Sequence, residues 1–293
     1  MSDIMSGGGK EAAAFCADLV RSHDFVRYAS TLFVPAEERR ALLALYAFNA
    51  EISRIRDQVT QPLPGEIRMQ WWTDLLVGAA HGGVEGNPVA AELMLAIRSF
   101  ELPAEPMSRL IDEHQFDLYN DPMPTLAALE GYVHETSSAL FMLAARIFAP
   151  PSAEIEHLAR HAGFAEGFVH VIASLPRDAA RRQLFLPLQF LQGQSIGMEE
   201  VFSGKQTSKL RAAIDQLLGE ARAHLRTAEE LLAQVPVGAR PAFLPLVLVR
   251  QDLARMSRAD YDPFAIQARS RLSILWTLWR ASHSRQFKRE AAR

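Results

Sequence analysis

Two stretches of the sequence, residues 42–59 and 163–187, carry polar side chains at intervals of one helical turn. The polar residues are Asn49, Ser53 and Asp57 in the first stretch, and Glu166, His170, Ser174 and Asp178 in the second. A spacing of four residues places side chains on one face of a helix. A carboxylate near the end of each line could help to hold Mg²⁺ between two facing helices. The same carboxylates could instead form ordinary ion pairs, and the spacing does not separate these interpretations.

Arginines surround both aspartates. They are Arg54 and Arg56 in the first stretch, and Arg177, Arg181 and Arg182 in the second. A guanidinium group binds a carboxylate through two parallel hydrogen bonds. We therefore expect Asp57 and Asp178 to be neutralised by Arg54, Arg56 or Arg177 rather than to bind a metal ion.

Three other patterns suggest chemistry but have simpler interpretations. Residues 193–197, Gly-Gln-Ser-Ile-Gly, match the nucleophile elbow of hydrolases, yet that motif requires a preceding strand, so we predict a loop. His157 and His161 have the spacing of metal ligands, but no third ligand lies nearby in sequence, and a solvated helix face is the simpler prediction. The four tryptophans could line an apolar cavity, although aromatic residues at helical spacing more often form core; they are Trp71, Trp72, Trp276 and Trp279.

The composition and charge of the chain limit which classes of protein and which partners are expected. A hydrophobic content of 49% and a charged content of 22% are typical of a globular protein. The net charge of −3 provides no general attraction to nucleic acid. A single cysteine, Cys16, excludes an internal disulfide and favours a reducing compartment. No secretory signal and no apolar run of membrane-spanning length is found, so we expect a cytoplasmic protein that at most contacts a membrane peripherally.

The elements that position these residues are predicted to be helices. No stretch alternates with a period of two, and residues that favour helices dominate. Helices are predicted over residues 11–30, 35–59, 66–80, 89–100, 105–119, 125–148, 153–172, 207–233, 239–257 and 263–282. A loop is predicted over 81–88, and a less regular stretch is predicted between Pro176 and Pro187. We divide the chain into a flexible leader (1–10), one all-α domain of long, mostly antiparallel helices (11–283) and a basic tail (284–293).

The two stretches also resemble the squalene/phytoene synthase family, and the resemblance extends from about residue 19 to about residue 279. Residues 45–48, Leu-Tyr-Ala-Phe, resemble the helix that leads into the family's first aspartate-rich motif, and residues 163–165 and 179–187 resemble the surroundings of its second. The resemblance implies an isoprenoid-synthase fold with a central cleft. It also implies head-to-head condensation of two prenyl diphosphates, with Mg²⁺ bound to aspartates of both motifs.

The sequence departs from the family at these aspartates. Each motif keeps its last acid, Asp57 or Asp178, but has a serine at its first, Ser53 or Ser174. Upstream of the second motif, Gly167 and His170 replace the family's glutamine and asparagine. Because electrostatic stabilisation is usually the largest catalytic contribution, we predict that the metal-dependent activity is lost and that no cofactor is bound.

A closer resemblance is to a branch of this family, the phytoene-synthase-like assembly factors of respiratory complex I. It rests on residues 47–51, 68–72, 181–187, 235–237, 241–244 and 260–263. One hypothesis is therefore a non-catalytic protein that helps complex I assemble, with a complex I subunit as partner. The other is an active transferase that uses Mg²⁺ and farnesyl or geranylgeranyl diphosphate. In either case the cleft could bind an isoprenoid, with Asn49, Ser53 and His170 at its polar mouth.

The last predicted helix offers a separate expectation. Trp276 and Trp279 are followed by a run of basic residues, namely Arg280, Arg285, Lys288 and Arg289. This helix could rest on anionic lipid at the inner membrane, on the matrix side in a mitochondrion. Ordinary packing of the helix, followed by a frayed basic tail, is the alternative.

Overall fold

The computed structural model describes residues 2–79, 86–265 and 269–287 of the chain. Within these ranges the regular structure is entirely helical, as the sequence predicts. The α-helices are α1 (Ser2–His23), α2 (Phe25–Thr31), α3 (Ala36–Ser53), α4 (Ile55–Gln58), α5 (Pro62–Leu76), α6 (Pro88–Phe100), α7 (Ala104–His114), α8 (Leu126–Val133), α9 (Ala139–Arg146), α10 (Ala153–Ala180), α11 (Leu188–Gly193), α12 (Met198–Phe202), α13 (Ser208–Leu232), α14 (Leu246–Met256) and α15 (Arg271–Ser282). Short 3₁₀ turns occupy Gln115–Leu118 and Arg240–Phe243, and a π-helical turn, His134–Ser138, joins α8 to α9.

Helices α10 and α13 form the most extensive helix–helix contact in the described structure. Ser152 caps α10 by accepting a hydrogen bond from the Ile155 N–H, and Thr207 caps α13 by accepting one from Leu210. Helix α13 buries one apolar face, whereas the middle of α10 is buried all around, and the buried apolar residues of both helices join a single hydrophobic core. The helix predicted over residues 207–233 is thereby confirmed.

Helix α10 extends beyond its predicted end near residue 172. It continues to Ala180 with Pro176 inside it, so the predicted irregular stretch begins only after Ala180, and residues 181–187 are irregular as predicted. A proline inside a helix costs about 3 kcal/mol, because it removes one hydrogen bond and crowds the preceding turn. Leu175 and Ala179 on either side of it are buried, and this packing offsets the cost. The second polar line therefore stays on one continuous helix.

The helix predicted over residues 35–59 is not continuous. Pro35 precedes α3 as expected, but α3 ends at Ser53, and the short helix α4 begins at Ile55 after a break at Arg54. Asp57 consequently lies on a different helix from Asn49 and Ser53. The prediction that these three side chains lie along one helix is therefore wrong for Asp57.

Several other boundaries differ from the predictions. Helix α1 begins before residue 11, and the predicted first helix is divided at Asp24, which caps α2 by accepting from Arg27 N–H at 3.0 Å. Helix α15 begins at Arg271, well after the predicted residue 263, and Ser270 caps it. The loop predicted over 81–88 lies mostly outside the described residues, as does most of the predicted basic tail. No helix in the described ranges is both long and apolar enough to cross a membrane.

Candidate functional site

A cavity of about 550 Å³ lies between the α3–α4 region and helix α10. It brings together most of the site residues predicted from the sequence, namely Asn49, Ser53, Arg54, Arg56, Asp57, His170, Arg177, Asp178 and Arg181. Ser174 and Arg182 are not among its lining residues. The two remaining aspartates of the motifs thus face the same cavity, although they are far apart in sequence.

Asp57 is neutralised from the opposite side of the cavity. Its carboxylate accepts a hydrogen bond from Arg181, which lies just after α10. The sequence predicted a partner among Arg54, Arg56 and Arg177 instead. Arg56 donates long hydrogen bonds of 3.4 Å to the Val59 carbonyl and the Asn120 side chain, while its Nε atom is buried without a partner.

Asp178 is buried at the end of the second polar line. Its Oδ1 accepts from Arg177 Nε at 3.1 Å, as predicted. Burial raises the pKa of Asp178, and the charge of Arg177 offsets part of that rise. A buried carboxylate that already has a guanidinium partner is poorly prepared to bind a cation.

His170 and Ser174 interact with each other rather than with a charged group. Ser174 Oγ lies 3.2 Å from His170 Nε2, and Ser174 is buried behind the cavity wall. Enclosure in the cavity, together with the charge of Arg177, lowers the pKa of His170, although more than a third of the residue is exposed to solvent. The imidazole is therefore neutral near pH 7 and can serve as a hydrogen-bond donor or acceptor in the cavity.

Arg182 belongs to a different surface. Its guanidinium pairs with Glu199 and lies 4.9 Å from the centre of the Phe202 ring. Its backbone adopts a left-handed conformation with φ of 58°, because the chain turns sharply after α10. This turn points Arg182 away from the cavity, although it is adjacent in sequence to Arg181.

The cavity also contains a buried ion pair that the sequence did not reveal. Arg27 on α2 contacts Glu166 on α10 at 2.5 Å and Asp24 at 3.3 Å, and only 7% of its side chain is exposed. Its guanidinium lies 5.3 Å from the ring centre of Tyr46 and 5.4 Å from that of Phe141. Burial raises the pKa of Glu166, while Arg27 lowers it. Glu166 stood out in the second polar line, but nothing near Arg27 in sequence points to it.

A second polar group lies on the cavity wall between α7 and α8. Asp117 accepts a hydrogen bond from the Tyr132 hydroxyl at 2.9 Å and lies 2.7 Å from His114 Nδ1. Burial and the charge of Asp117 raise the pKa of Tyr132, so its hydroxyl stays protonated. Phe116 and Phe185 pack around the Tyr132 ring. The wall therefore combines an aromatic surface with one fixed hydrogen-bonding group.

The residues present do not fit a cluster of Mg²⁺ ions. Such a cluster needs several hard oxygen ligands in nearly octahedral geometry. Asp57 and Asp178 each have an arginine partner, and Ser53 and Ser174, where the resemblance implies aspartates, have no carboxylate. Across the described part of the chain, no group of three or more histidine, cysteine or acidic side chains is arranged to hold a metal ion.

His157 and His161 lie outside the cavity. His161 is partly buried at the contact between α10 and α13, where its Nδ1 lies 2.9 Å from Nδ1 of His224 and its Nε2 lies 3.0 Å from Nε2 of His157. The prediction of a solvated face holds for His157 but is wrong for His161. Its two ring nitrogens face different partners, which is consistent with a chain of hydrogen bonds.

The remaining patterns do not form a site. Trp72 is buried in the core against Phe48, whereas Trp276 and Trp279 are exposed on α15. None of the four tryptophans lines the cavity. Residues 194–197 form the turn between the short helices α11 and α12, so the predicted loop begins one residue later than expected, after Gly193, and α11 rather than a strand precedes Ser195.

The helical fold and its cavity define the class of protein. The structure is similar to that of squalene synthase from Alicyclobacillus acidocaldarius, with a TM-score of 0.74 and 22% identity over 87% of this chain and 97% of the other. It is also similar to a dehydrosqualene synthase in complex with a ligand, with a TM-score of 0.81 and 15% identity over 93% of this chain and 97% of the other. The fold is that of the isoprenoid synthases.

The chain belongs to the squalene/phytoene synthase family, whose sequence model matches residues 20–280. It is 30% identical to human NADH dehydrogenase (ubiquinone) complex I, assembly factor 6, over 92% of this chain and 82% of the human protein. It is 26% identical to presqualene diphosphate synthase of Rhodopseudomonas palustris, over 71% of this chain and 75% of that protein. The family expected from the sequence is therefore confirmed, and its relatives include both a complex I assembly factor and a presqualene diphosphate synthase.

Proposed function

We propose that this protein acts in the assembly of respiratory complex I and does not catalyse Mg²⁺-dependent prenyl transfer. The proposal rests on the ion pairs formed by Asp57 and Asp178, the two aspartates that the motifs retain. Asp57 is paired with Arg181 and Asp178 with Arg177 in the cavity where the family's metal ions would bind. Without those ions, ionisation of an allylic diphosphate loses its main electrostatic stabilisation.

The proposed role in complex I assembly is supported by similarity to complex I assembly factor 6. The alignment with the human protein includes nearly the whole chain, so it is not confined to one motif. A complex I subunit is accordingly the proposed partner.

The cavity supports a further role as an isoprenoid-binding site. Its volume of about 550 Å³ is within the usual range of ligand sites, and its lining combines apolar side chains such as Leu140 and Phe185 with polar ones such as Asn49 and His170. An isoprenoid would place its tail against the apolar wall and its polar end near the arginines. In this proposal the ligand is bound but not converted.

Deletion of the gene tests the proposed role in the organism that carries it. We expect loss of most NADH:ubiquinone oxidoreductase activity in isolated membranes, because incomplete complex I does not transfer electrons. Succinate:ubiquinone oxidoreductase activity, measured in the same membranes, should be unchanged. Re-expression of the wild-type chain should restore complex I activity. Normal complex I activity in the deletion strain would refute the proposal.

A second candidate function, prenyl transfer with Mg²⁺, is favoured by one observation. Asp57 and Asp178 do line a common cavity, and displacement of Arg181 and Arg177 would free both carboxylates. The similarity to presqualene diphosphate synthase is in keeping with this alternative. We rank it second because the first acid of each motif is a serine.

A further inference from the structure

Helix α15 is apolar on two opposite sides. Ile274 and Leu278 are buried on the side that faces the protein, where α15 contacts α14 and α2. The opposite side exposes Leu272, Trp276 and Trp279, with exposed fractions of 79%, 61% and 44%. The spacing of these three residues, i, i+4 and i+7, places them on one helix face. Ordinary packing therefore explains only one side of this helix.

The two exposed tryptophans are arranged as a flat aromatic surface. Their rings are stacked with centroids 5.0 Å apart and an interplanar angle of 25°. His283 continues this surface, since its ring centre lies 5.0 Å from that of Trp279. Large exposed apolar surfaces of this kind usually mark an interaction site.

The sequence that contains this face is basic. The protein as a whole has a net charge of −3, yet residues 263–289 contain no aspartate or glutamate. Arg280 and Arg285 are exposed close to Trp276 and Trp279. The local charge is therefore complementary to an anionic surface, although the whole protein would be weakly repelled by one.

An apolar cavity of about 530 Å³ adjoins the C-terminal end of α15. Its walls include Leu32, Phe33, Leu244 and Phe287, and His283 lines its rim. His283 thus contacts Trp279 on one side and the cavity on the other. The exposed apolar area continues from the tryptophans towards a space that could accommodate part of an acyl chain.

We propose that the exposed face of α15, formed by Leu272, Trp276 and Trp279 with Arg280 and Arg285, binds the surface of a bilayer that contains anionic lipids. Indole rings favour the boundary between headgroups and acyl chains, where the ring is in an apolar environment and its N–H can still form hydrogen bonds. The arginines would contact the lipid phosphates from the same side. A flat aromatic face followed by exposed arginines fits this environment better than it fits an average protein surface.

Flotation of the full-length protein with vesicles tests this proposal. Wild-type protein should float with vesicles of phosphatidylcholine and phosphatidylglycerol at low salt, and much less with phosphatidylcholine alone. The double substitution Trp276→Ser and Trp279→Ser should weaken binding about tenfold or more, because two indole rings lose their apolar environment. The double substitution Arg280→Gln and Arg285→Gln should weaken it about fivefold for each charge removed, and raised salt should reduce this difference.

A matched control comes from helix α5. Leu63 and Ile67 are 64% and 62% exposed and also lie one turn apart, but they are distant in sequence from α15. Substitution of both by serine should leave vesicle binding unchanged. Circular dichroism and thermal unfolding establish that each variant is folded.

Two results would overturn the proposal. One is wild-type protein that stays unbound with anionic vesicles, which is also the result expected if this face binds another protein. The other is equal vesicle binding by the wild type and the tryptophan variant, or equal loss of binding by the α5 control. Neither result bears on the role in complex I assembly.

Discussion

Replacement of Gly163 by alanine is expected to destabilise the fold by about 3 kcal/mol, at the upper end of what overpacking usually costs. Gly163 is buried on α10 where that helix crosses the π-helical turn at Ser138. A Cβ atom added there would lie well inside 3.0 Å of the backbone N and Cα of Ser138. Backbone atoms cannot move aside by changing rotamer, so α10 or the π-helical turn must shift. Urea-induced unfolding followed by circular dichroism measures the effect.

Gly219 provides the control for this prediction. It lies on α13, and an added Cβ would have no neighbour within 4 Å. Alanine has a higher helix propensity than glycine, so Gly219→Ala should stabilise the protein by up to about 1 kcal/mol. If both variants had the same stability, the close approach of α10 to Ser138 would be ruled out.

Replacement of Glu166 by glutamine is expected to lower the free energy of unfolding by about 3 kcal/mol, since it leaves a buried cation with too little compensating charge. Arg27 is almost fully buried and lies within 2.5 Å of Glu166. Asp24, at 3.3 Å, would remain as its only charged partner in the described structure. Chemical denaturation at neutral pH measures the change.

The surface pair Arg250–Glu229 gives a matched comparison. Its atoms are 2.6 Å apart, but 57% and 32% of the two side chains are exposed. Solvent screens such a pair, so Glu229→Gln should cost less than about 1 kcal/mol. Equal losses in the Glu166 and Glu229 variants would mean that burial does not govern the energetics of the Arg27 pair.

Most of the helical fold follows from local sequence signals. Thr207 marks the start of α13, and periodic apolar residues mark its length, so the prediction agrees with the structure. Pro176 gave a wrong local prediction, because packing on both sides of a proline can outweigh its local penalty and this packing comes from residues distant in sequence. The break at Arg54 was not predicted, because the sequence around it favours a helix.

The candidate site was predictable only in part. Each of the two motif stretches correctly predicted residues of one cavity wall. The Asp57–Arg181 pair, however, joins residues that are 124 positions apart, which no local pattern predicts. Arg27, Asp117 and Tyr132 were missed because no sequence signal separates them from surface groups. Asp24 and His114 do lie three positions from Arg27 and Asp117, but ordinary surface ion pairs have the same spacing. Which polar groups meet in a cavity depends on how the helices cross, and the periodicity of a single helix contains no information on that.

We propose that this protein retains the isoprenoid-synthase fold but not the metal-dependent chemistry. The most direct measurement is release of diphosphate from farnesyl diphosphate by the purified protein with Mg²⁺, with the squalene synthase of Alicyclobacillus acidocaldarius as positive control. We expect diphosphate release no faster than in a protein-free sample. Asp57 and Asp178 do lie in one cavity, but each is neutralised by an arginine. Mg²⁺-dependent release of diphosphate, abolished by EDTA and accompanied by a hydrocarbon product, would contradict it.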